Sequence, residues 1–173
     1  PVHAARPEPS VIAEAADALR RGALVAFPTE TVYGLGARAL ARDAVKRVFL
    51  AKGRPEAHPL IVHVLGENQA KSWAADWTPL ASELARAFWP GPLTLVVAKS
   101  DLVPPEVTGG SPAVALRAPS HPVARALLEA LGEPVVAPSA NRYQSLSPTR
   151  AEHVAASLAG ADVLVLDAGA CPS

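Results

Sequence analysis

Apolar positions at helical spacing alternate with short apolar runs along nearly the whole chain, separated by glycine and proline. Ile12, Ala15, Ala16 and Leu19 share one stripe, which predicts a helix capped by Ser10 and stopped by Gly22. Ala23 to Phe27 is short and wholly apolar, as a buried strand is. Asp43 opens a second helix with Val45, Val48 and Phe49 inward, and that helix delivers Lys52. A strand from Leu60 to Leu65 follows, then a helix opened by Thr78-Pro79 through Leu80, Leu84 and Phe88. The proline-glycine turn after Trp89 ends it, before strands at Leu93 to Ala98 and Ala113 to Arg117. Ser120 and Pro122 begin a helix carrying Val123, Leu127, Leu128 and Leu131, which Gly132 ends. The strand Pro134 to Ala137 then presents Ser139. Thr149 and Glu152 form a T-x-x-E capping box for a helix to Leu158, and Asp162 to Leu166 is the last strand. Leu102 to Pro112, rich in proline and glycine, reads as a flexible insert. The alternation predicts an α/β fold, a mixed sheet flanked by helices.

Composition narrows the class. At 173 residues and 50% hydrophobic, the chain can bury one sizeable core, so residues 1–173 read as a single domain. Sixteen basic and sixteen acidic residues cancel, which excludes a strong overall field for nucleic acid and leaves RNA contact to a local patch. The single cysteine, Cys171, excludes an internal disulfide framework and favours a reducing compartment. No apolar stretch approaches the ~18 residues of a membrane span, so a cytoplasmic location is expected.

Two polar clusters carry the candidate chemistry. Lys52-Gly53-Arg54, followed by Pro55, and Ser139-Ala140-Asn141, preceded by Pro138, each pair polar side chains at i and i+2. In extended backbone that spacing aims both to one side, so Lys52 and Arg54 predict a cationic fork suited to phosphate, with Ser139 and Asn141 to fix a further oxygen. Taken alone, the fork also reads as a solvated helix end. His63 in its apolar strand reads as a structural residue, and His58 beside Pro59 as surface. Arg117 at a strand end reads equally as an anion clamp or as the partner of a buried acid. Trp73, Trp77 and Trp89 read as packing, His121 as a helix start and His153 as helix surface. Gly34-Leu35-Gly36-Ala37-Arg38-Ala39 matches the dinucleotide fingerprint in letters only, because no helix starts at its second glycine. These glycines read instead as a tight turn beside a ligand. There is no P-loop, no Ser-His-Asp constellation and no carboxylate pair, and Glu30 is the only acid within the motif blocks.

The clusters sit in ordered blocks: Phe27 to Gly36 (F-P-T-E-T-V-Y-G-L-G), Lys52 to Pro55, His58 to Val64, Trp89 to Thr94, Leu116-Arg117, Ala137 to Asn141 and Ser147 to Thr149. Over roughly residues 10–172 the chain resembles the Sua5/YciO/YrdC family. The resemblance implies an open, twisted mixed sheet around a positively lined cavity. It also implies L-threonylcarbamoyladenylate synthesis: L-threonine, bicarbonate or CO2 and ATP give threonylcarbamoyl-AMP and pyrophosphate, the first step toward threonylcarbamoyladenosine in tRNA. Carried over position by position, it suggests Thr31, His63, Arg117 and Ser139 for threonine, with Arg117 on the carboxylate. Lys52, Arg54, His58, Asn141 and Ser147 or Thr149 would face ATP, Lys52 and Arg54 acting catalytically, and Tyr33 would wall the pocket. Mg2+ would arrive with ATP without a dedicated carboxylate cage, and no other metal is expected. The implied partners are the downstream tRNA threonylcarbamoyl-transfer machinery and a weak RNA contact, but no membrane. Two other classes remain: a non-catalytic nucleotide- or RNA-binding member, and the carbamoyl-adenylate domain of hydrogenase maturation proteins, whose acylphosphatase-like and zinc-finger segments do not occur in this sequence.

Two departures modify the resemblance. Gln144 stands where the family pattern leads us to expect glycine. The sequence ends at Cys171-Pro172-Ser173, just before the strand expected to bring a Glu-Ser-Thr motif to the threonine pocket. The domain is therefore expected to be incomplete at that end, to leave the strand Asp162 to Leu166 as an unpaired edge, and to turn over at least about tenfold faster when extended.

Overall fold

The computed structural model describes residues 2–3 and 8–172. Among the described residues, eight strands form one mixed sheet, ordered β1-β8-β2-β3-β7-β4-β6-β5. They are β1 (Val2–His3), β2 (Leu24–Pro28), β3 (Tyr33–Arg38), β4 (Ile61–His63), β5 (Leu95–Ala98), β6 (Ala113–Arg117), β7 (Val135–Val136) and β8 (Val163–Leu166). The helices are α1 (Pro9–Arg20), α2 (Arg42–Lys52), α3 (Glu67–Lys71), α4 (Pro79–Phe88), α5 (Pro105–Thr108), α6 (Pro122–Leu131) and α7 (Ala151–Ser157).

Strand alternation divides the core into two layers. Val25 and Phe27 of β2 pack with Ile12 and Leu19 of α1 and Leu127 and Leu128 of α6. Leu24 and Ala26, on the opposite face, join Val45, Val48 and Phe49 of α2. Burying both faces explains why β2 is apolar at every position up to its closing proline.

Four sequence expectations need correction. β8 is not an unpaired edge: it lies between β2 and β1, parallel to both. Tyr33 to Arg38 is not a turn but β3, antiparallel to β2 and β7. Gly36 is required there by close approach, since a Cβ would stand 2.7 Å from the Phe27 ring and 3.0 Å from the Val25 carbonyl oxygen. Leu102 to Pro112 is a packed connection, with Val103, Val107 and Thr108 buried and the Leu60 N–H donating to the Val107 carbonyl at 2.8 Å. Two expected caps are absent: Glu8 precedes α1 and Arg150 precedes α7, neither with a capping side-chain bond, so Ser10 lies inside its helix and Thr149 outside. Thr78 does cap α4, accepting from the Ala81 N–H at 3.2 Å. Trp73 is buried and Trp77 packs on Trp89, as expected.

Candidate active site

The parallel pairing of β4 with β6 sets His63 opposite Arg117. Antiparallel pairing with β7 leads the chain on through Pro138 to Ser139, which bridges Gly34 of β3. The β2–β3 connection closes the remaining side. There the Thr29 hydroxyl donates to the Val32 carbonyl at 2.7 Å and accepts from the Thr31 N–H at 3.2 Å. Thr31, His63, Arg117 and Ser139 thereby line one cavity of about 210 Å3, together with Thr29 and Val32. Arg117 is its only charged lining residue and most of the wall is apolar, with Val32, Ile61, Ala137 and Pro138 contributing, so the cavity is not strongly cationic.

Arg117 resolves the two readings left open by its position. Its Nη2 lies 2.8 Å from Glu30 Oε1 and donates to Thr31 Oγ1 at 3.2 Å, so it partners a half-buried acid and also faces the cavity. Burial pushes the Glu30 carboxyl up, but the Arg117 guanidinium and two backbone N–H groups outweigh it and hold the group below the usual carboxylate range. His63 is 2% exposed, its ring edge-on to Phe27. Burial, assisted by the Arg117 charge, lowers its pKa to about 4, so the imidazole is neutral near pH 7. Sequence reasoning gave Glu30 and Thr29 no role. Their place inside the F-P-T-E-T block was the available signal.

Lys52 and Arg54 do not diverge as an exposed fork. Helix α2 continues through Lys52, Gly53 takes a left-handed φ of 62°, and the Arg54 N–H returns to the Phe49 carbonyl. Lys52 therefore points inward, 2% exposed, with Nζ donating to the Ser139 and Asn141 carbonyls. It ties together the two polar clusters singled out in the sequence. Burial and the nearby Arg54 charge push the ammonium down to about 8. Arg54 stays half-buried, with one bond from Nη2 to the Pro59 carbonyl at 3.1 Å.

Two of the other expected nucleotide residues are joined to this post, Asn141 directly and His58 through Tyr143. The Tyr143 N–H donates to the Lys52 carbonyl at 2.8 Å, and its hydroxyl stands 3.3 Å from His58 Nδ1. Asn141 is 4% exposed, and its amide N–H groups shape its own loop by donating to the Arg142 and Ser145 carbonyls. Only its Oδ1 lacks a partner. Ser147 is exposed and Thr149 half-buried, flanking Pro148, whose carbonyl accepts from the Tyr33 N–H at 2.8 Å.

Tyr33 is not a pocket wall. Strand alternation turns it away from Gly34 and into the core, where it is 0% exposed and donates to the Gly169 carbonyl at 2.8 Å. Burial pushes its phenol up to about 12, and it serves as a fixed hydrogen-bond post behind the cavity. Gln144 has a φ of 65°, the only positive φ at a non-glycine among the described residues. The position where glycine was expected is thus one whose backbone favours glycine. His121 caps α6 by accepting from the Val123 N–H at 3.2 Å, as a helix-start residue should, and His153 is exposed on α7.

An open mixed sheet with an Arg-His-Thr-Ser cavity beside a lysine-tied loop defines an α/β domain with a candidate ligand pocket. The Sua5/YciO/YrdC family model, described as telomere recombination, matches residues 17–173, and the chain belongs to that family. It is 51% identical over 155 residues to the threonylcarbamoyl-AMP synthase of Pyrococcus abyssi, covering 90% of this chain and 46% of that protein. The Bacillus subtilis threonylcarbamoyl-AMP synthase is 49% identical over 159 residues, covering 91% of this chain and 46% of the relative. The structure of P. abyssi Sua5 complexed with L-threonine superposes with a TM-score of 0.94 at 48% identity, over 98% of this chain and 50% of that one. E. coli YciO shares the fold, with a TM-score of 0.86 at 23% identity over 99% of this chain and 84% of its own. The chain spans about half the length of the P. abyssi and B. subtilis relatives.

Proposed function

We propose that this domain forms L-threonylcarbamoyladenylate from L-threonine, bicarbonate or CO2 and ATP, releasing pyrophosphate as the first step toward threonylcarbamoyladenosine in tRNA. The observation that carries the reading is the convergence of Thr31, His63, Arg117 and Ser139 on one cavity, in a fold shared with a threonine-bound relative. Arg117 takes the amino-acid carboxylate as a planar, two-pronged donor. Thr31 and Ser139 orient the ligand by their hydroxyls, and the neutral His63 presents a hydrogen-bonding wall without added charge.

The amine, once deprotonated, attacks the carbon of CO2, and the carbamate forms with loss of a proton from nitrogen. A carbamate oxygen then attacks the α-phosphorus, and the bond to the pyrophosphate oxygen breaks. Such a step needs positioning and charge neutralisation rather than a protein nucleophile. Arg54 supplies the accessible cation for the triphosphate. Lys52 acts beside it, holding the Ser139–Asn141 loop with two carbonyl bonds while its charge faces the same region. His58, Asn141, Ser147 and Thr149 complete the nucleotide side.

Among the described residues no three or more His, Cys, Asp or Glu side chains are grouped to hold a metal ion. We take Mg2+ to come with ATP, carried by phosphate oxygens and water. Among the described residues no helix is long and apolar enough to cross a membrane. We assign the domain to the cytoplasm, upstream of the tRNA threonylcarbamoyl-transfer machinery, with direct RNA contact no more than weak.

The test is pyrophosphate release with and without threonine and bicarbonate. Dependence on both is expected. Release that ignores threonine, or RNA binding without ATP or threonine binding, would overturn the reading in favour of a nucleotide- or RNA-binding module.

A further inference from the structure

The proposed chemistry leaves Glu30 without a task, although it is the acid paired with Arg117. Its Oε2 accepts from the Ser120 N–H at 3.2 Å, so the carboxylate is braced from the β6–α6 connection. The Arg117 and Glu30 side chains are 10% and 14% exposed, with 2.8 Å between Nη2 and Oε1. That close pair is not aligned as a hydrogen bond: Glu30 Oε1 and Arg117 Nε are both buried without a hydrogen-bond partner, as is the neighbouring His63 Nδ1. Desolvating two charges while leaving bonding capacity unused on each is a weak way to stabilise a fold. Arg117 lines the cavity and Glu30 does not, so the acid acts on a ligand through its charge, 2.8 Å from the guanidinium, rather than by contact.

We propose that Glu30 is a specificity-determining positioning residue: paired with Arg117, it makes the cavity select a zwitterion over a simple carboxylate. The inference rests on the amino-acid site proposed above and deepens it. A lone Arg117 would attract any carboxylate that fits. With Glu30 beside it the pair is nearly neutral, so an approaching anion meets attraction and repulsion of comparable size. A ligand bearing both charges sets its carboxylate on the guanidinium and its ammonium toward the Glu30 side, gaining from both. No other charged group competes at the lining, because His63 is neutral and the Lys52 ammonium is turned to the backbone carbonyls of Ser139 and Asn141.

Calorimetric titration of the intact chain with L-threonine, and with the 2,3-dihydroxybutyrate of matching configuration, isolates this effect, because hydroxyl then replaces ammonium. Wild type is expected to prefer threonine by at least about tenfold. Glu30→Gln preserves the side chain's shape and an acceptor for Ser120, and should narrow the preference below about threefold, chiefly by strengthening the dihydroxy acid. Glu30→Asp, which restores the charge, should restore a preference for threonine. A merely structural role would weaken both ligands together and leave the ratio intact, and an unchanged ratio in Glu30→Gln overturns the proposal. Equal wild-type affinity for the two ligands also overturns it, with no variant required. Threonine binding with an unchanged ratio removes this inference alone, whereas a wild type that binds neither ligand removes the amino-acid reading and this inference with it.

Discussion

His63 and Arg117 are fixed side by side by the β4–β6 register and are 2% and 8% exposed, whereas Arg54, His58 and Ser147 stand on loops and neighbouring Leu146 is 93% exposed. The two ends of the candidate site are therefore built differently. Sheet pairing holds His63 and Arg117 at the proposed amino-acid end in place before any ligand arrives, and the Thr29 side chain braces the turn that carries Thr31. The proposed nucleotide end hangs on one buried post, Lys52, which clamps the loop from Ser139 to Asn141. A substrate whose small polar groups must be read by position suits the first construction, and a long, flexible triphosphate suits the second.

The largest effect should come from breaking the strand-built end. Arg117→Ala removes one member of a largely buried ion pair, so urea unfolding should show a loss of about 3 to 5 kcal/mol, with threonine binding abolished. In Arg117→Ala/Glu30→Ala the stranded carboxylate is gone as well, and most of the stability should return while threonine binding does not. A double variant as unstable as the single one would mean that Arg117 contributes through packing rather than charge.

The same end should carry a pH signature. Burial holds His63 near 4, below the ordinary value of 6.5, so between those pH values the unfolded chain binds a proton that the folded chain refuses. Its contribution to stability is therefore intact above pH 6.5 and is lost as the pH falls toward 4. The loss from this group should be about 3 kcal/mol across that window, and His63→Asn should flatten the slope in urea titrations at successive pH values. An unaltered slope in the variant would assign the acid sensitivity elsewhere.

How far these regions were legible follows the same division. Helices α2, α4 and α6 could be read because apolar stripes and proline or glycine punctuation coincide there. Strand β3 could not, because two glycines hide it, and the reason for Gly36 is a contact with Phe27 that only the folded chain reveals. The four cavity residues were legible through family resemblance, and the acid partner of Arg117, one of two readings its position allowed, is Glu30. Lys52 misled because i and i+2 share a side only in extended backbone, and here α2 persists through it. Tyr33 misled for a related reason: the first residue of an unread strand has an unread face.

At the loop-built end, Lys52 and Arg54 should separate cleanly. Lys52→Met leaves the Ser139 and Asn141 carbonyls without the donor that now joins them, costing about 2 kcal/mol of stability as well as at least tenfold in ATP affinity. Arg54→Ala should lose a comparable roughly tenfold in ATP affinity yet change stability by no more than about 0.5 kcal/mol, because its side chain makes only one protein bond. Thermal melts and ATP titrations on both variants measure the contrast. Equal stability losses would make the two cations equivalent and remove Lys52 as the post.

The smallest effect should be of opposite sign. Gln144 holds a φ of 65° in the loop that the Asn141 amide supports through the Arg142 and Ser145 carbonyls. A left-handed conformation strains a residue with a Cβ, whereas glycine adopts it freely, although glycine loses more chain entropy on folding. The first effect is about 1 to 2 kcal/mol and the second about 0.5 to 1, so Gln144→Gly should stabilise the domain by roughly 0.5 to 1 kcal/mol. Gln144→Val, β-branched at the same φ, should destabilise it. The cavity meets this loop at Ser139, whose carbonyl accepts from the Asn141 N–H at 3.0 Å and from Lys52, while Gln144 lies further along the loop, so threonine affinity should not respond to either change. A Gln144→Gly variant that melts lower than wild type would show that the strain is already relieved by the side chain's surroundings. A shift in threonine affinity would show that the two ends of the site are coupled through Lys52 more tightly than their separate construction implies.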